Sequence, residues 1–333
     1  MTPTARSQQR VWTRPTVPNG SDWTSGSGLP KSLSKLEREA ESALATGETA
    51  HTAPIRLLAP AKLTLSLRIS GTRADGYHII DAEMVTLDLC DEIIVHPSSQ
   101  PSVEIVPALA AKGPAGATTE WDIPADRSNL VIRALELAGR TAHVEVRKRI
   151  PPGAGLGGGS ADAAAVLRWA NRMTAVKTAD AAATGSMSRP QTHAIVTPQQ
   201  AATLGADVAF CLVGGRARVT GVGEIIELLP FRDQSFVLWM PPVQVDTATV
   251  YGTWDELGGP SGPNANDLEP AALAAYPELS AWRDDLEAVT GRTPRLAGSG
   301  GTWFIPAPFG ARMQKLAGDG VRASQARAIG RLH

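Results

Sequence analysis

Gly153-Ala154-Gly155-Leu156-Gly157-Gly158-Gly159-Ser160 is the stretch on which the reading of this chain turns. Five glycines in seven positions let a backbone come close to a ligand and aim several N–H groups one way, as a phosphate at a helix N-terminus requires. Upstream, His143 to Arg147 reads as a strand. Downstream, an Ala-rich run to about Asn171 reads as a helix with Val166, Leu167 and Ala170 on one face. A mere glycine linker would not open an amphipathic helix, so the loop points to a nucleotide.

Bulk properties narrow the classes. Among 333 residues, 43% hydrophobic and 20% charged content suits a globular enzyme with room for two lobes. A net charge of -1 supplies no basic field, so neither nucleic acid nor an anionic membrane is the expected partner; a small-molecule substrate is. Apolar runs fall short of the roughly 20 residues of a membrane span. Only Cys90 and Cys211 occur, which excludes a disulfide framework and leads us to expect a reducing, cytoplasmic setting. With no CxxC or HExxH, a zinc site is not expected.

Residues 1–52 are rich in Ser, Thr, Gly, Pro and Arg and read as a mostly disordered extension, with a short capped helix over Ser34 to Ala45. The start shares its Arg and Ser/Thr content with an organelle transit peptide, but the glutamates from Glu37 to Glu48 argue against one. From Ile55 the texture is β-rich: Ile55 to Leu58, Leu63 to Ile69, Met84 to Leu89 and Glu92 to His96, with a turn at Asp75-Gly76. Asn129 to Gly139 is predicted helical. Residues 172–197 read as a flexible insertion, and a helix from Pro198 ends at Leu204-Gly205. A hairpin follows around Gly221-Val222-Gly223. The first lobe is placed at 53–230 and a second at 236–333, the latter with a strand to Met240, helices near 267–275 and 277–289, and a glycine turn at Gly298 to Gly301. The expected class is α+β in two lobes.

Gly153-x-Gly155-x-x-Gly158 satisfies the dinucleotide fingerprint, but Lys148-Arg149-Ile150-Pro151-Pro152 separates it from its strand, and no second strand closing on an acidic residue follows. No Gly-Lys-Ser/Thr follows either, so a Walker A loop is excluded. A phosphate loop without its own lysine needs cationic and acid/base help from elsewhere. Lys62, in Ala59-Pro60-Ala61-Lys62 at the head of an apolar strand, is one candidate, against a plain strand-end lysine. Asp207, in Gly205-Ala206-Asp207-Val208, is the other, against a helix N-cap.

With Pro60-Ala61-Lys62, Asp75-Gly76-Tyr77-His78, the glycine loop, Gly205-Ala206-Asp207-Val208, Asn266-Asp267-Leu268-Glu269-Pro270 and Gly298-Ser299-Gly300 in order, the chain resembles the GHMP kinases from about Ile55 to Phe304. Asp75 to His78 and Asn266 to Pro270 are the marks of a subfamily. The resemblance implies a ribosomal S5-like N-terminal lobe and an α+β C-terminal lobe. It further implies transfer of the ATP γ-phosphate to the tertiary 2-hydroxyl of a cytidine diphosphate-linked methylerythritol, with Mg2+ as the metal, in non-mevalonate isoprenoid synthesis. Another GHMP small-molecule kinase, or a catalytically silent nucleotide-binding homologue, is the alternative.

By the same resemblance, Asp207 is the general base and Lys62 the catalytic lysine that stabilises negative charge in transfer. Pro151, Pro152, Gly153, Ala154, Gly155, Leu156, Gly157, Gly158, Gly159, Ser160 and Ala161 form the ATP loop, with Ser160 at the phosphates or their magnesium. Lys148 and Asn129 are placed near the adenosine, against a solvated strand end and a helix N-cap. Tyr77 and His78 fall on the cytidine pocket, with Tyr251 as the second aromatic of a base sandwich; Thr247 shares the loop of Tyr251. Gly298, Ser299 and Gly300 approach the substrate phosphates. Two departures stand out: Thr64 in place of the usual Asn, shorter in reach for the acceptor, and Ala209 in place of Pro, expected to loosen the backbone beside Asp207.

Overall fold

A computed structural model describes residues 53–107, 121–184, 194–306 and 322–330 of the chain. The predicted disordered extension and its helix at Ser34 to Ala45 lie outside them. Six strands form the first sheet: β1 (Ile55–Thr72), β2 (His78–His96), β3 (Ser102–Pro107), β4 (His143–Lys148), β5 (Arg216–Gly221) and β6 (Ile225–Leu228). The long β2 carries β1 along one edge. On the other it pairs β5 through Ile80 to Val85 and β4 through Glu92 to His96. Helices α1 (Leu130–Leu137), α2 (Gly158–Thr184), α3 (Pro198–Ala201) and α4 (Ala206–Val213) follow, with α2 against β1 and β2 and flanked by α1 and α4. Small residues on α2, Ala161, Ala163, Ala164 and Ala165, are buried and allow this close approach.

A second sheet, ordered β10-β7-β9-β8, is built from β7 (Ser235–Met240), β8 (Arg295–Leu296), β9 (Trp303–Pro306) and β10 (Arg322–Arg327). With it go α5 (Thr247–Glu256), α6 (Glu269–Ala275) and α7 (Glu278–Thr290). The two sheets share a buried cluster: Leu63, Val85 and Leu87 from the first, with Ile150 and Leu156 from the segment after β4, meet Phe236, Leu238 and Phe304 from the second. Leu156 belongs to the glycine loop, so burying its side chain pins the loop at the seam between the sheets.

Expectation and structure differ in several places. The short strands predicted over 55–69 and 84–96 are parts of β1 and β2, which run on through the expected gaps at 59–62 and 90–91, with register shifts at Pro60/Lys62, Thr64/Ser66 and Ile69/Gly71. The helix expected to stop near Asn171 runs on to Thr184, so the first half of the 172–197 insertion is helical, as its alanines favour; residues 185–193 lie outside the described residues. Helix α5 was not foreseen, since Thr247, Thr249, Val250 and Thr253 are poor helix formers. Its start is nevertheless capped: Asp246 accepts from the Thr249 hydroxyl and from the Thr249 N–H, each at 2.7 Å, which holds its carboxyl below the usual range. No helix of the described residues is long and apolar enough to cross a membrane.

Candidate active site

The glycine loop, from Pro151 to Ala161, joins β4 to α2 and is held by its carbonyls. Gly153 O accepts from Val245 N at 3.3 Å, Ala154 O from Thr302 N at 3.1 Å and Thr302 Oγ1 at 2.6 Å, and Leu156 O from Lys62 N at 3.0 Å. Turning those carbonyls toward the protein gives the other face of the loop to its amides, at the start of a long helix. That polarity suits an anion. Gly155 and Gly157 have φ of +72° and +66°, and a Cβ on Gly155 would lie 2.2 Å from Gly300 O, so no other residue fits there. A Cβ on Gly157 would lie 2.8 Å from Cγ of Lys62, which places that lysine directly beneath the loop.

Lys62 reaches this position through a local defect in β1. Pro60 cannot donate to the ladder, and the register breaks between Pro60 and Lys62. Lys62 stands opposite Thr86 with its N–H turned away from β2, and on this outer edge of β1 it bonds the loop carbonyl of Leu156. The Lys62 ammonium lies 3.2 Å from Asp207 Oδ2 and 3.2 Å from Thr64 Oγ1, with its side chain buried and that of Asp207 about a third exposed at 32%. Asp207 is not the N-cap of α4, which is Gly205; it sits in the first turn, where the helix dipole favours a carboxylate. Thr64, the departure from the family pattern, is buried against Lys62 and orients the ammonium. Ala209 is fully buried inside α4, so the backbone beside Asp207 is held by the helix rather than loosened as expected.

The structure corrects the placement of Lys148. Its ammonium is buried in an ion cluster, bonded to Asp91 Oδ2 and, at 2.7 Å, to Asp162 Oδ2. Neither a solvated strand end nor a hand extended to a nucleoside describes it. Burial works against its charge, but the two carboxylates outweigh that and hold Lys148 above the ordinary lysine range. Asp91 Oδ1 also accepts from the N–H groups of Arg149 at 2.5 Å and Ile150 at 2.9 Å, whereas Asp162 Oδ1 has no hydrogen-bond partner. One ammonium cannot neutralise two buried carboxylates. Burial accordingly pushes Asp162 up to about 8, with repulsion from Asp91 adding to it against the pull of Lys148. The result is a tie between β2, the foot of the loop and α2. Asn129 is the N-cap of α1, accepting from Val131 N at 2.9 Å, as its plain alternative had it. Ser160 lies in the first turn of α2.

At the other side of Asp207, Tyr77 is 65% exposed and does not face Tyr251, so the expected Tyr77–Tyr251 pair is not formed in this structure. His78 does: its ring lies 4.8 Å from that of Tyr251 and 5.4 Å, edge on, from Trp254. The Asp75-Gly76 turn, with Gly76 at φ +86°, ends just short of β2 and leaves Tyr77 outside the cluster. Burial pushes the Tyr251 phenol upward, and the Asp207 carboxylate adds to this, so the aromatic cluster adjoins the Lys62–Asp207 pair. Thr247 Oγ1 bonds Ser299 Oγ at 3.0 Å, tying α5 to the glycine turn, and a Cβ on Gly298 would lie 3.6 Å from Lys62 Nζ. The turn is fixed from below by Asn266, whose amide donates to Leu296 O and Gly298 O at 3.0 and 2.8 Å. Asp267 accepts from Ile69 N at 3.0 Å and pairs with Arg68. The Asn266-Asp267 mark is thus a staple between β1 and the turn.

Asp91, Asp162, Trp254 and Asp255 were not singled out from sequence. Asp162 carried a signal, since it stands two residues after Ser160 on the helix that opens the loop. Both cysteines are free and buried, and burial pushes the Cys211 thiol up to about 12, which keeps it from acting as a nucleophile beside Asp207.

The sequence matches the family described as GHMP kinases N terminal domain over residues 129–215. A crystal structure of homoserine kinase from Cytophaga hutchinsonii ATCC 33406 shares the fold at a TM-score of 0.50 and 18% identity, covering 84% of this chain and 95% of that one. Fold and site together define a small-molecule kinase of the GHMP class. Similarity is higher to 4-diphosphocytidyl-2-C-methyl-D-erythritol kinases: 33% identity over 268 residues to that of Paracoccus denitrificans (strain Pd 1222), covering 75% of this chain and 85% of the relative. The enzyme of Desulfitobacterium hafniense (strain Y51) is 34% identical over 278 residues, at 75% and 86% coverage. A crystal structure of 4-(cytidine 5'-diphospho)-2C-methyl-D-erythritol kinase superposes with a TM-score of 0.58 at 30% identity, over 83% of this chain and 100% of that one. The chain belongs to the 4-diphosphocytidyl-2-C-methyl-D-erythritol kinase family.

Proposed function

We propose that the enzyme transfers the γ-phosphate of ATP to the 2-hydroxyl of 4-diphosphocytidyl-2-C-methyl-D-erythritol, with Lys62 and Asp207 as its catalytic residues. The observation that carries this reading is the Lys62–Asp207 ion pair of 3.2 Å, on a lysine whose own N–H is bonded to the glycine loop. One residue thereby connects the phosphate loop to the base. Asp207 takes the proton of the attacking hydroxyl as its oxygen bonds the γ-phosphorus, and the bond to the β–γ bridging oxygen breaks to release ADP. The Lys62 ammonium stabilises the charge that spreads over the transferring group. Loop amides from Gly155 to Ser160 cradle the phosphates.

Mg2+ at nucleotide sites is held largely by phosphate oxygens, with few protein ligands. The hydroxyl of Ser160, a hard oxygen donor at the helix start, fits that chemistry; when bound, the ion would offset phosphate charge. Across the site, His78 and Tyr251 receive the cytosine base, and Gly298 to Gly300, held by Asn266 and Thr247, approach the diphosphate. The test is ATP consumption with the cytidine-linked substrate set against mevalonate, homoserine and galactose. Turnover confined to the first is the expected outcome, and turnover of any other at a comparable rate would refute the assignment.

A further inference from the structure

We infer that Asp255 is a specificity-determining positioning residue: it fixes the tautomer of His78 and so makes the pocket accept cytosine and reject uracil. The inference rests on the proposed reading of His78 as a contact of the base. Tyr251, Trp254 and Asp255 stand at i, i+3 and i+4 of α5 and therefore share one helical face. All three meet His78. The two rings pack on the imidazole at 4.8 and 5.4 Å, and Asp255 Oδ1 lies 2.8 Å from His78 Nε2. Trp254 is itself fixed, donating from Nε1 to Pro260 O at 2.9 Å.

A carboxylate only accepts hydrogen bonds, so the pair requires the proton on Nε2. In the neutral ring this leaves Nδ1 as an acceptor. Cytosine presents an amino donor where uracil presents a carbonyl oxygen, so an acceptor at Nδ1 pairs with the first and opposes the second. The His78 side chain is only 10% exposed, so a mismatched base leaves Nδ1 with little water to turn to, whereas Asp255 at 54% can be changed without threatening the fold. Nothing in the phosphoryl-transfer step itself requires Asp255.

The experiment compares kcat/KM for the cytidine-linked substrate and its uridine-linked counterpart in the full chain, as wild type, Asp255→Ala, Asp255→Asn and His78→Phe. Asp255→Ala is expected to lower the cytidine-to-uridine ratio by about 10- to 100-fold, the range for loss of a group that orients a histidine. The loss should fall on KM, with kcat within a few-fold, and Asp255→Asn, whose amide oxygen still accepts, should restore part of it. Nitrogen-15 shifts of His78 should move from the Nε2–H form to a mixture in Asp255→Ala without substrate. An equal loss for both nucleosides, or an unchanged tautomer, would overturn the proposal. If His78→Phe abolishes the discrimination while Asp255→Ala keeps it, the proposal alone fails; if His78→Phe also keeps it, the base-contact reading fails and takes the proposal with it.

Discussion

Lys62 and Lys148 each leave a strand of the first sheet beside the glycine loop, yet Lys62 meets one carboxylate that is a third open to solvent while Lys148 is closed between two that are buried. The first arrangement keeps a charged pair accessible to a substrate. The second spends its charges on joining β2, β4 and α2. Proximity to the glycine loop therefore does not by itself leave a lysine free to act; its partners decide that.

Breaking the open pair should have the largest effect. Asp207→Asn is expected to lower kcat by about 10² to 10⁴, typical of general-base removal, with ATP binding retained by calorimetry. Full activity in that variant would remove Asp207 from the mechanism. In the closed cluster the expected damage is to folding instead: Asp91→Ala leaves Lys148 short of a partner and strips the acceptor from the Arg149 and Ile150 amides. A loss of about 1–3 kcal/mol in denaturant unfolding follows from the amides left without an acceptor, since Asp162 remains to pair with Lys148. An activity loss without a stability loss would contradict the contrast.

Smaller changes sharpen it. Thr64→Val keeps the shape but removes the hydroxyl 3.2 Å from Lys62 Nζ, and should cost about 1 kcal/mol of transition-state stabilisation, near fivefold to tenfold in kcat, with unfolding little changed. Asp162→Asn should be the mildest in acid. Its folded-state pKa, pushed up to about 8 from the ordinary value of 3.8, means that the native state holds a proton that the unfolded chain releases between those values. The wild type therefore loses stability as pH rises through that window, and the neutral amide does not. The variant should match the wild type within about 1 kcal/mol near pH 4 and become the more stable of the two toward pH 8, as read from thermal unfolding across pH.

The same contrast explains what could be read from residues alone. Lys62 stood out as a charge entering an apolar strand, with a plain strand-end lysine as the alternative, and the structure buries it against Asp207. Asp207 stood out among small and apolar neighbours, evenly matched with a helix N-cap, and the structure gives that cap to Gly205. Lys148 had the same local appearance as a strand-end lysine, and its partners come from β2 and from α2, so only the packing of those elements distinguishes a locked lysine from a free one. Periodicity revealed the strands of the first sheet but not that β1 and β2 run unbroken through their bulges. The helix α5 was hidden by its β-branched residues, and with it the face that carries Trp254 and Asp255. Tyr77 illustrates the converse: the family resemblance placed it in the aromatic cluster, while the chain enters β2 only at His78 and leaves Tyr77 exposed in the turn before it.

The edge position of β1 makes the Lys62 amide a reporter on the loop. On a bare edge that hydrogen would face solvent, but here its partner is Leu156 O, in the segment proposed to hold the nucleotide. Its exchange rate should fall when ATP tightens the loop and recover when ADP departs, while neighbouring amides of β1 stay unchanged. A single backbone hydrogen thus allows nucleotide occupancy to be followed in the unlabelled enzyme, without chemistry and without a substrate analogue.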